Sequence, residues 1–192
     1  MRGFPGTALF GALLFFFGAS CPSVLRAQPQ GPEARRVVEL IDRIEKETSA
    51  GPGPVSRKEM VTEVELNAYI AYRIASEKED IMKELELKLF PKSKIEGRVL
   101  IDLSGKNVPA GLRPKMGILF SGTLRTQDRK VRLELDSFYL EEQKIQPAFL
   151  DLIIALVSRL EGSEPWKLDD WHALPFGIRE MWTEKGRLNV EY

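Results

Sequence analysis

Cysteine is nearly absent from this chain, because Cys21 is the only one among 192 residues. A lone cysteine cannot form a disulfide framework or a thiolate metal site. The sequence also lacks a Gly-x-Ser-x-Gly nucleophile elbow, a phosphate-binding loop and a dinucleotide-binding fingerprint. No enzyme class is indicated, so we expect a protein that is not an enzyme and uses no cofactor or metal ion.

An excess of charge of either sign is also missing, because 28 lysine and arginine residues balance 28 aspartate and glutamate residues. Removal of residues 1–27 as a leader segment would take away Arg2 and Arg26 and leave a slight acidic excess. Nucleic-acid-binding proteins need a clustered positive surface. We therefore expect no nucleic-acid partner.

No hydrophobic run is long enough to span a bilayer, and the run near the N-terminus covers only residues 8–17. It follows a positive charge and precedes small and polar residues, as in a secretory signal peptide. We predict a signal peptide over residues 1–27, cleaved after Ala27, and export to the bacterial periplasm or cell envelope. A lipid anchor at Cys21 is the alternative. We do not favour it, because Gly18 stands where lipoprotein signals usually carry leucine.

Residues 28–57 are predicted to be a linker followed by an amphipathic helix. The helix covers residues 33–48, and the Gly/Pro-rich stretch 49–58 ends it. Its apolar side chains share one stripe: Val37, Leu40, Ile41 and Ile44. We favour a helix docked on the domain that follows, and a spacer or partner-binding helix is the alternative.

The stretch VTEVELNAYI, residues 61–70, begins with a capping box in which Thr62 and Glu65 satisfy each other's backbone N–H groups. Helical spacing of apolar residues then predicts a helix to about Ser76. Asn67 lies off the centre of the apolar stripe. We expect it to hydrogen-bond a neighbouring loop rather than a ligand.

From residue 84 the apolar period changes from helical to alternating, which predicts half-buried antiparallel strands. Four segments show it: 84–89, 94–103, 116–126 and 131–140. A polar turn makes the last two a hairpin. Gly97 and Gly122 fall on the apolar faces, which indicates a bend, a bulge or a close approach by another group.

Residues 145–162 form the most apolar predicted helix, with Pro147 in its first turn and Gly162 at its end. A Trp-rich loop, a short helical turn at Leu174–Pro175 and a final strand follow. We predict one α+β domain over residues 58–192, in which a curved antiparallel sheet packs on this long apolar helix.

Asp169, Asp170 and His172 are the only cluster with the side chains for acid–base or metal chemistry. A hydrolase using these residues is one hypothesis. Adjacency in sequence is weak support, since active sites are assembled from distant segments. We favour a structural role, in which an aspartate caps a turn while Trp166 and Trp171 seal the end of the core.

Three stretches resemble small bacterial exported proteins related to the tubular lipid-binding (TULIP) superfamily: residues 62–69, Trp171 and residues 174–178. The resemblance covers roughly residues 58–192. It implies a TULIP-like half-module, in which acyl chains enter the seam between a curved sheet and a long helix. It implies no catalytic residues.

The hypothesis that follows is an exported, non-catalytic protein that binds a lipid or another apolar molecule, with peripheral membrane contact. We expect these residues to line the groove: Leu66, Ile70, Ile74, Val99, Ile101, Phe120, Leu124, Leu133, Ile153, Ile154 and Val157. The alternative is a cell-envelope assembly protein without a small ligand, which contacts an envelope protein through its Trp-rich loop.

Overall fold

The computed structural model describes residues 31–49, 56–76, 81–105, 113–146, 170–175 and 177–192, together with residues 29 and 155. In chain order its elements are α1 (Pro32–Ser49), β1 (Lys58–Thr62), α2 (Glu63–Ser76), β2 (Met82–Leu89), β3 (Lys94–Asp102), β4 (Lys115–Gln127), β5 (Lys130–Leu140), β6 (Gln143–Lys144), β7 (His172–Ala173), β8 (Glu180–Glu184) and β9 (Arg187–Glu191). The chain is therefore an α+β protein, as predicted.

A strongly curved antiparallel sheet contains the alternating segments of the sequence. Its strand order is β2-β3-β4-β5-β6, and β7 pairs with β5 beside this path. Alternate residues of β2, β3 and β4 are buried, which confirms the predicted apolar faces. The β4–β5 hairpin is also confirmed, and its turn residues Asp128 and Arg129 have φ angles of 51° and 58°.

A bulge between β4 and β5 explains one of the two strand glycines. Gly122 pairs with Leu135 and Ser121 pairs with Ser137, so Asp136 is an extra residue in β5. The buried positions of β5 consequently change from odd numbers to even ones, and Phe138 is buried. A Cβ atom on Gly122 would lie 2.6 Å from the carbonyl oxygen of Glu134. Only glycine fits this approach without a shift.

The ring of Phe120 explains the other glycine. Gly97 is paired with Phe120 across β3 and β4. A Cβ atom on Gly97 would lie 2.1 Å from Cζ of that ring. The Phe120 ring thus occupies the space that a side chain at position 97 would need. The prediction of a close approach to this glycine is confirmed.

A second, smaller sheet has the order β1-β9-β8. Sequence analysis predicted the last strand but neither β1 nor β8. It also predicted a helical turn at Leu174–Pro175, where the described residues form a single turn with a hydrogen bond of 3.0 Å from the N–H of Ile178 to the oxygen of Pro175. A turn is thus present where one was predicted, but the described residues on either side of position 176 are not assigned to a helix, since proline and glycine favour a turn as readily as a helix start.

Two threonines join the small sheet to the large one. Thr183 of β8 is buried, and its hydroxyl donates to the carbonyl oxygen of Phe90 at 2.7 Å. The hydroxyl of Thr126 in β4 donates to the carbonyl oxygen of Met181 at 2.9 Å. Because these bonds link the centre of β8 to the β2–β3 connection and to β4, both sheets share one framework.

The amphipathic helix α1 is docked on the domain. Its stripe, which includes Val37 and Ile44, is buried in the same hydrophobic core as the sheet. Arg36 forms an ion pair with Glu65 at the start of α2, and Arg43 lies 3.1 Å from a carboxylate oxygen of Glu59. α1 is therefore part of the folded unit, in the docked arrangement that its apolar stripe favours.

The predicted helix over residues 145–162 lies almost wholly outside the described residues. Ile145 is described, and its N–H donates to the carbonyl oxygen of Phe138 at 3.0 Å. The long apolar helix against the sheet stays a prediction. Among the described helices, none has the length and apolarity that a membrane crossing requires.

Candidate functional site

The start of α2 is fixed by the capping box that the sequence predicts. The backbone N–H and the hydroxyl of Thr62 each donate to a carboxylate oxygen of Glu65 at 2.8 Å, and the N–H of Glu65 donates to the Thr62 hydroxyl at 3.3 Å. Burial raises the pKa of Glu65, but hydrogen bonds from Arg36 and Thr62 outweigh it and hold this pKa below its ordinary value. Glu65 is therefore an anion that anchors both helices.

Asn67 covers the free edge of β2, which is the outermost strand of the large sheet. Its amide nitrogen donates to the carbonyl oxygen of Leu87, and the N–H of Leu87 donates to its amide oxygen, both at 2.8 Å. The expectation of a hydrogen bond to a neighbouring loop was wrong in its partner, because the acceptor and donor belong to a strand. The carboxamide replaces the missing neighbouring strand at this residue.

Hydrogen bonds also cover this edge of β2 at Leu89, two residues beyond Leu87. The N–H of Leu89 donates to a carboxylate oxygen of Glu63 at 2.7 Å, and its carbonyl oxygen accepts a hydrogen bond of 2.9 Å from the N–H of Gly186. Glu63 and Asn67 are four residues apart, so they lie on one side of α2. This side of the helix therefore closes the edge at Leu87 and Leu89.

Beside Asn67, α2 and β2 line an open groove of about 560 Å³. Its lining consists of Asn67, Ala71, Ile74 and Ala75 from α2 and of Lys83, Glu84, Leu85 and Glu86 from β2. Ala71 and Ala75 are one helical turn apart, and their short side chains leave the space open. The volume falls within the range of small-molecule sites, about 300–1,000 Å³. We call this space the α2–β2 groove.

The predicted lining residues divide into three groups. Seven are buried in one continuous core: Leu66, Ile70, Val99, Ile101, Phe120, Leu124 and Leu133. Ile74 is half-buried and lines the α2–β2 groove. Ile153, Ile154 and Val157 lie outside the described residues. Sequence reasoning therefore identified one residue of this groove and missed the two alanines, whose signal is only their spacing and small size.

A second depression, of about 470 Å³, lies on the polar side of the large sheet. The strand register builds it from two cross-strand rows, Lys88–Glu96–Ser121–Ser137 and Glu86–Arg98–Leu119–Tyr139. The hydroxyls of Ser121 and Ser137 are 2.8 Å apart, and Leu119 is 47% exposed. Most of its lining is charged or polar, so it does not suit a purely apolar ligand.

The Asp/His cluster is only partly described. His172 lies in β7 opposite Val131. Burial lowers the pKa of His172 below its ordinary value, and the nearby negative charge of Asp170 opposes that shift. Asp169 is outside the described residues. Beside this cluster, Cζ of Arg132 lies over the ring of Trp171, 4.6 Å from its centroid. In the described ranges no three His, Cys, Asp or Glu side chains are placed to hold a metal ion.

Comparison with models of known families, with curated proteins and with solved structures finds no match to this chain. The resemblance to the tubular lipid-binding proteins therefore stays a prediction from the sequence. The α2–β2 groove is the candidate site, because it combines adequate volume with an apolar helical wall.

Proposed function

We propose that this chain is an exported, non-catalytic protein that binds a lipid or another apolar ligand in the α2–β2 groove. The observation that supports the proposal is a groove of about 560 Å³ between helix and sheet, in which the apolar side chains of Ala71, Ile74, Ala75 and Leu85 make up half of the lining and polar or charged side chains the other half. In this proposal residues 145–162 form the long helix of a TULIP-like half-module. The proposal assigns no catalytic role to His172.

The energetics favour a long apolar chain as the ligand. Burial of one methylene group contributes about 0.8 kcal/mol. Association costs about 4–15 kcal/mol in lost translational and rotational freedom and in ordering. A ligand that buries only three or four methylenes cannot meet this cost, whereas one that buries ten or more contributes about 8 kcal/mol. The proposal therefore favours acyl chains over short hydrocarbons.

Filling the groove with a large side chain tests the proposal. Ala71 is exposed on α2 and lines the groove, so Ala71→Trp should block it without disturbing the core. Val64→Trp is the matched control, because Val64 is 67% exposed on the same helix and is not part of the lining. Both variants are titrated with a fluorescent fatty acid, and lipids extracted from the purified proteins are identified and quantified by mass spectrometry.

We expect Ala71→Trp to bind the fatty acid at least tenfold more weakly than the unmodified protein, with its thermal midpoint unchanged. Val64→Trp should bind normally. If neither the probe nor any extracted lipid is bound by the unmodified protein, the carrier function is refuted. Copurification of an envelope protein in place of lipid would favour the assembly alternative.

Export is part of the same proposal and has its own test. Cleavage after Ala27 predicts an intact mass for residues 28–192 without a lipid adduct. A mass that matches residues 21–192 with acyl groups on Cys21 would contradict cleavage after Ala27 and would show that the protein is anchored to a membrane.

A further inference from the structure

The backbone of β2 presents its hydrogen-bonding groups to α2 at every second residue. Leu87 and Leu89 direct their N–H and C=O groups away from β3, since these groups bond to Asn67, Glu63 and Gly186. In an antiparallel strand this direction repeats with a period of two. The N–H and C=O groups of Leu85 therefore also point away from β3, and Leu85 lines the α2–β2 groove.

The backbone groups of Leu85 differ from those of Leu87 and Leu89 in their hydrogen-bond partners. Within the described part of the chain, hydrogen bonds from α2 and the small sheet reach the edge at Leu87 and Leu89, and none reaches Leu85. The α2–β2 groove thus contains one outward-facing pair of backbone groups, a donor and an acceptor, beside the apolar side chains of α2. A buried donor or acceptor needs a partner, and a ligand that supplies both is favoured over one that supplies neither.

Asn67 shows which chemical group fits such a pair. Its carboxamide binds Leu87 with one donated and one accepted hydrogen bond, both 2.8 Å long. The adjacent pair at Leu85 has the same orientation, two residues away on the same edge. A ligand amide placed there would continue the row that the Asn67 side chain begins.

The edge has room for one amide and not for a strand. An added strand would need successive outward-facing pairs, and those at Leu87 and Leu89 are already occupied. On the other side of Leu85, a register shift between Met82 and Glu84 ends the regular alternation. An extended peptide is therefore a poor fit, whereas a small molecule with a single amide can use the site.

We propose that the α2–β2 groove selects apolar ligands that carry a secondary amide, which pairs with the N–H and C=O of Leu85 while the hydrocarbon lies along Ala71, Ile74 and Ala75. This inference rests on the proposed function and specifies its ligand class as N-acyl amides. Free fatty acids and esters lack the N–H group that the carbonyl oxygen of Leu85 accepts.

Three ligands of equal chain length test the inference without changing the protein. N-methyldecanamide is a secondary amide, N,N-dimethyldecanamide keeps the carbonyl but has no N–H, and methyl decanoate is the corresponding ester. Dissociation constants are measured by calorimetry for the full mature chain and for Ala71→Trp. Amide proton shifts of Leu85 are recorded in parallel, with Leu87 as the internal control because its N–H already donates to Asn67.

We expect the secondary amide to bind about tenfold more tightly than the other two ligands, a difference of about 1.4 kcal/mol. It should shift the amide proton of Leu85 more than that of Leu87, and Ala71→Trp should abolish the shift. Equal affinities for all three, still blocked by Ala71→Trp, would overturn the amide preference and leave lipid binding intact. No binding of any of the three, nor of a fatty acid, would overturn both.

Discussion

Replacing Asn67 with alanine removes the two hydrogen bonds by which α2 holds the edge of β2. Leu87, which is only 4% exposed, keeps a backbone N–H and a C=O without their partners. The perturbation is confined to the carboxamide, because the helix continues through an alanine. The change in unfolding free energy therefore reports the contribution of this edge contact.

The size of the effect follows from the groups left unpaired. Each buried donor or acceptor without a partner costs about 1–3 kcal/mol, and the neighbouring groove admits water that lowers the cost. Two groups at the lower part of this range cost about 2–3 kcal/mol. Alanine returns up to about 0.7 kcal/mol through its better helix propensity. We expect a net loss of about 2 kcal/mol.

Urea unfolding followed by tryptophan fluorescence measures this loss. At a slope of about 2 kcal/mol per molar urea, the midpoint of Asn67→Ala falls by about 1 M. Asn189→Ala is the matched control, since the Nδ2 atom of Asn189 is buried without a hydrogen-bond partner among the described residues. The control should lose less than about 1 kcal/mol.

An equal loss in both variants would contradict the reasoning, because it would show that a buried asparagine stabilises the fold by packing alone. A loss below about 0.5 kcal/mol in Asn67→Ala would also contradict it. In that case water replaces the carboxamide at the strand edge at no cost.

Two further predictions concern the sheet and the helix start. Gly97→Ala should lower the free energy of unfolding by about 1–2 kcal/mol in thermal unfolding, because the new methyl group meets the Phe120 ring. Gly117→Ala is the control and should not lower it, because the space at its Cβ position is open. Equal effects of the two substitutions would refute the close approach of Phe120 to Gly97. Burial raises the pKa of Glu65, but the hydrogen bonds that its carboxylate accepts lower this pKa by more, so the net shift is downward. The stabilisation by the Glu65 carboxylate is therefore present above pH 4.5 and is lost as the pH falls below that value. The difference in unfolding free energy between the unmodified protein and Glu65→Gln should narrow below pH 4.5, and a constant difference would disprove the assignment.

Local signals predicted the parts of the fold that depend on neighbours in sequence. The capping box of Thr62 and Glu65 involves residues three apart, and the alternation in β2 to β4 follows from one buried side of each strand. Both therefore appear in the sequence before any tertiary contact is known. The short strand β1 does not, because Val61 is its only buried residue and it follows a Gly/Pro-rich stretch.

The groove was beyond prediction because tertiary contacts create it. The sequence shows apolar residues but not which of them meet, and most of the predicted lining residues pack against one another in the core. Ala71 and Ala75 have no signal as binding residues, since alanine is common in helices. The outward-facing backbone pair at Leu85 depends on which strand is outermost, and the order of strands is not encoded by the alternation of any single one.

Pairing of β1 with β9 places residues 58–62 beside residues 187–191, and Arg57 and Tyr192 exchange two backbone hydrogen bonds of 3.0 Å. The small sheet thus joins segments more than one hundred positions apart along the polypeptide. Such distant contacts form late, because a long loop must close before they are made. Under the export that we propose, the chain could complete this sheet only after β9 had crossed the membrane, so the proposal requires secretion in an unfolded state.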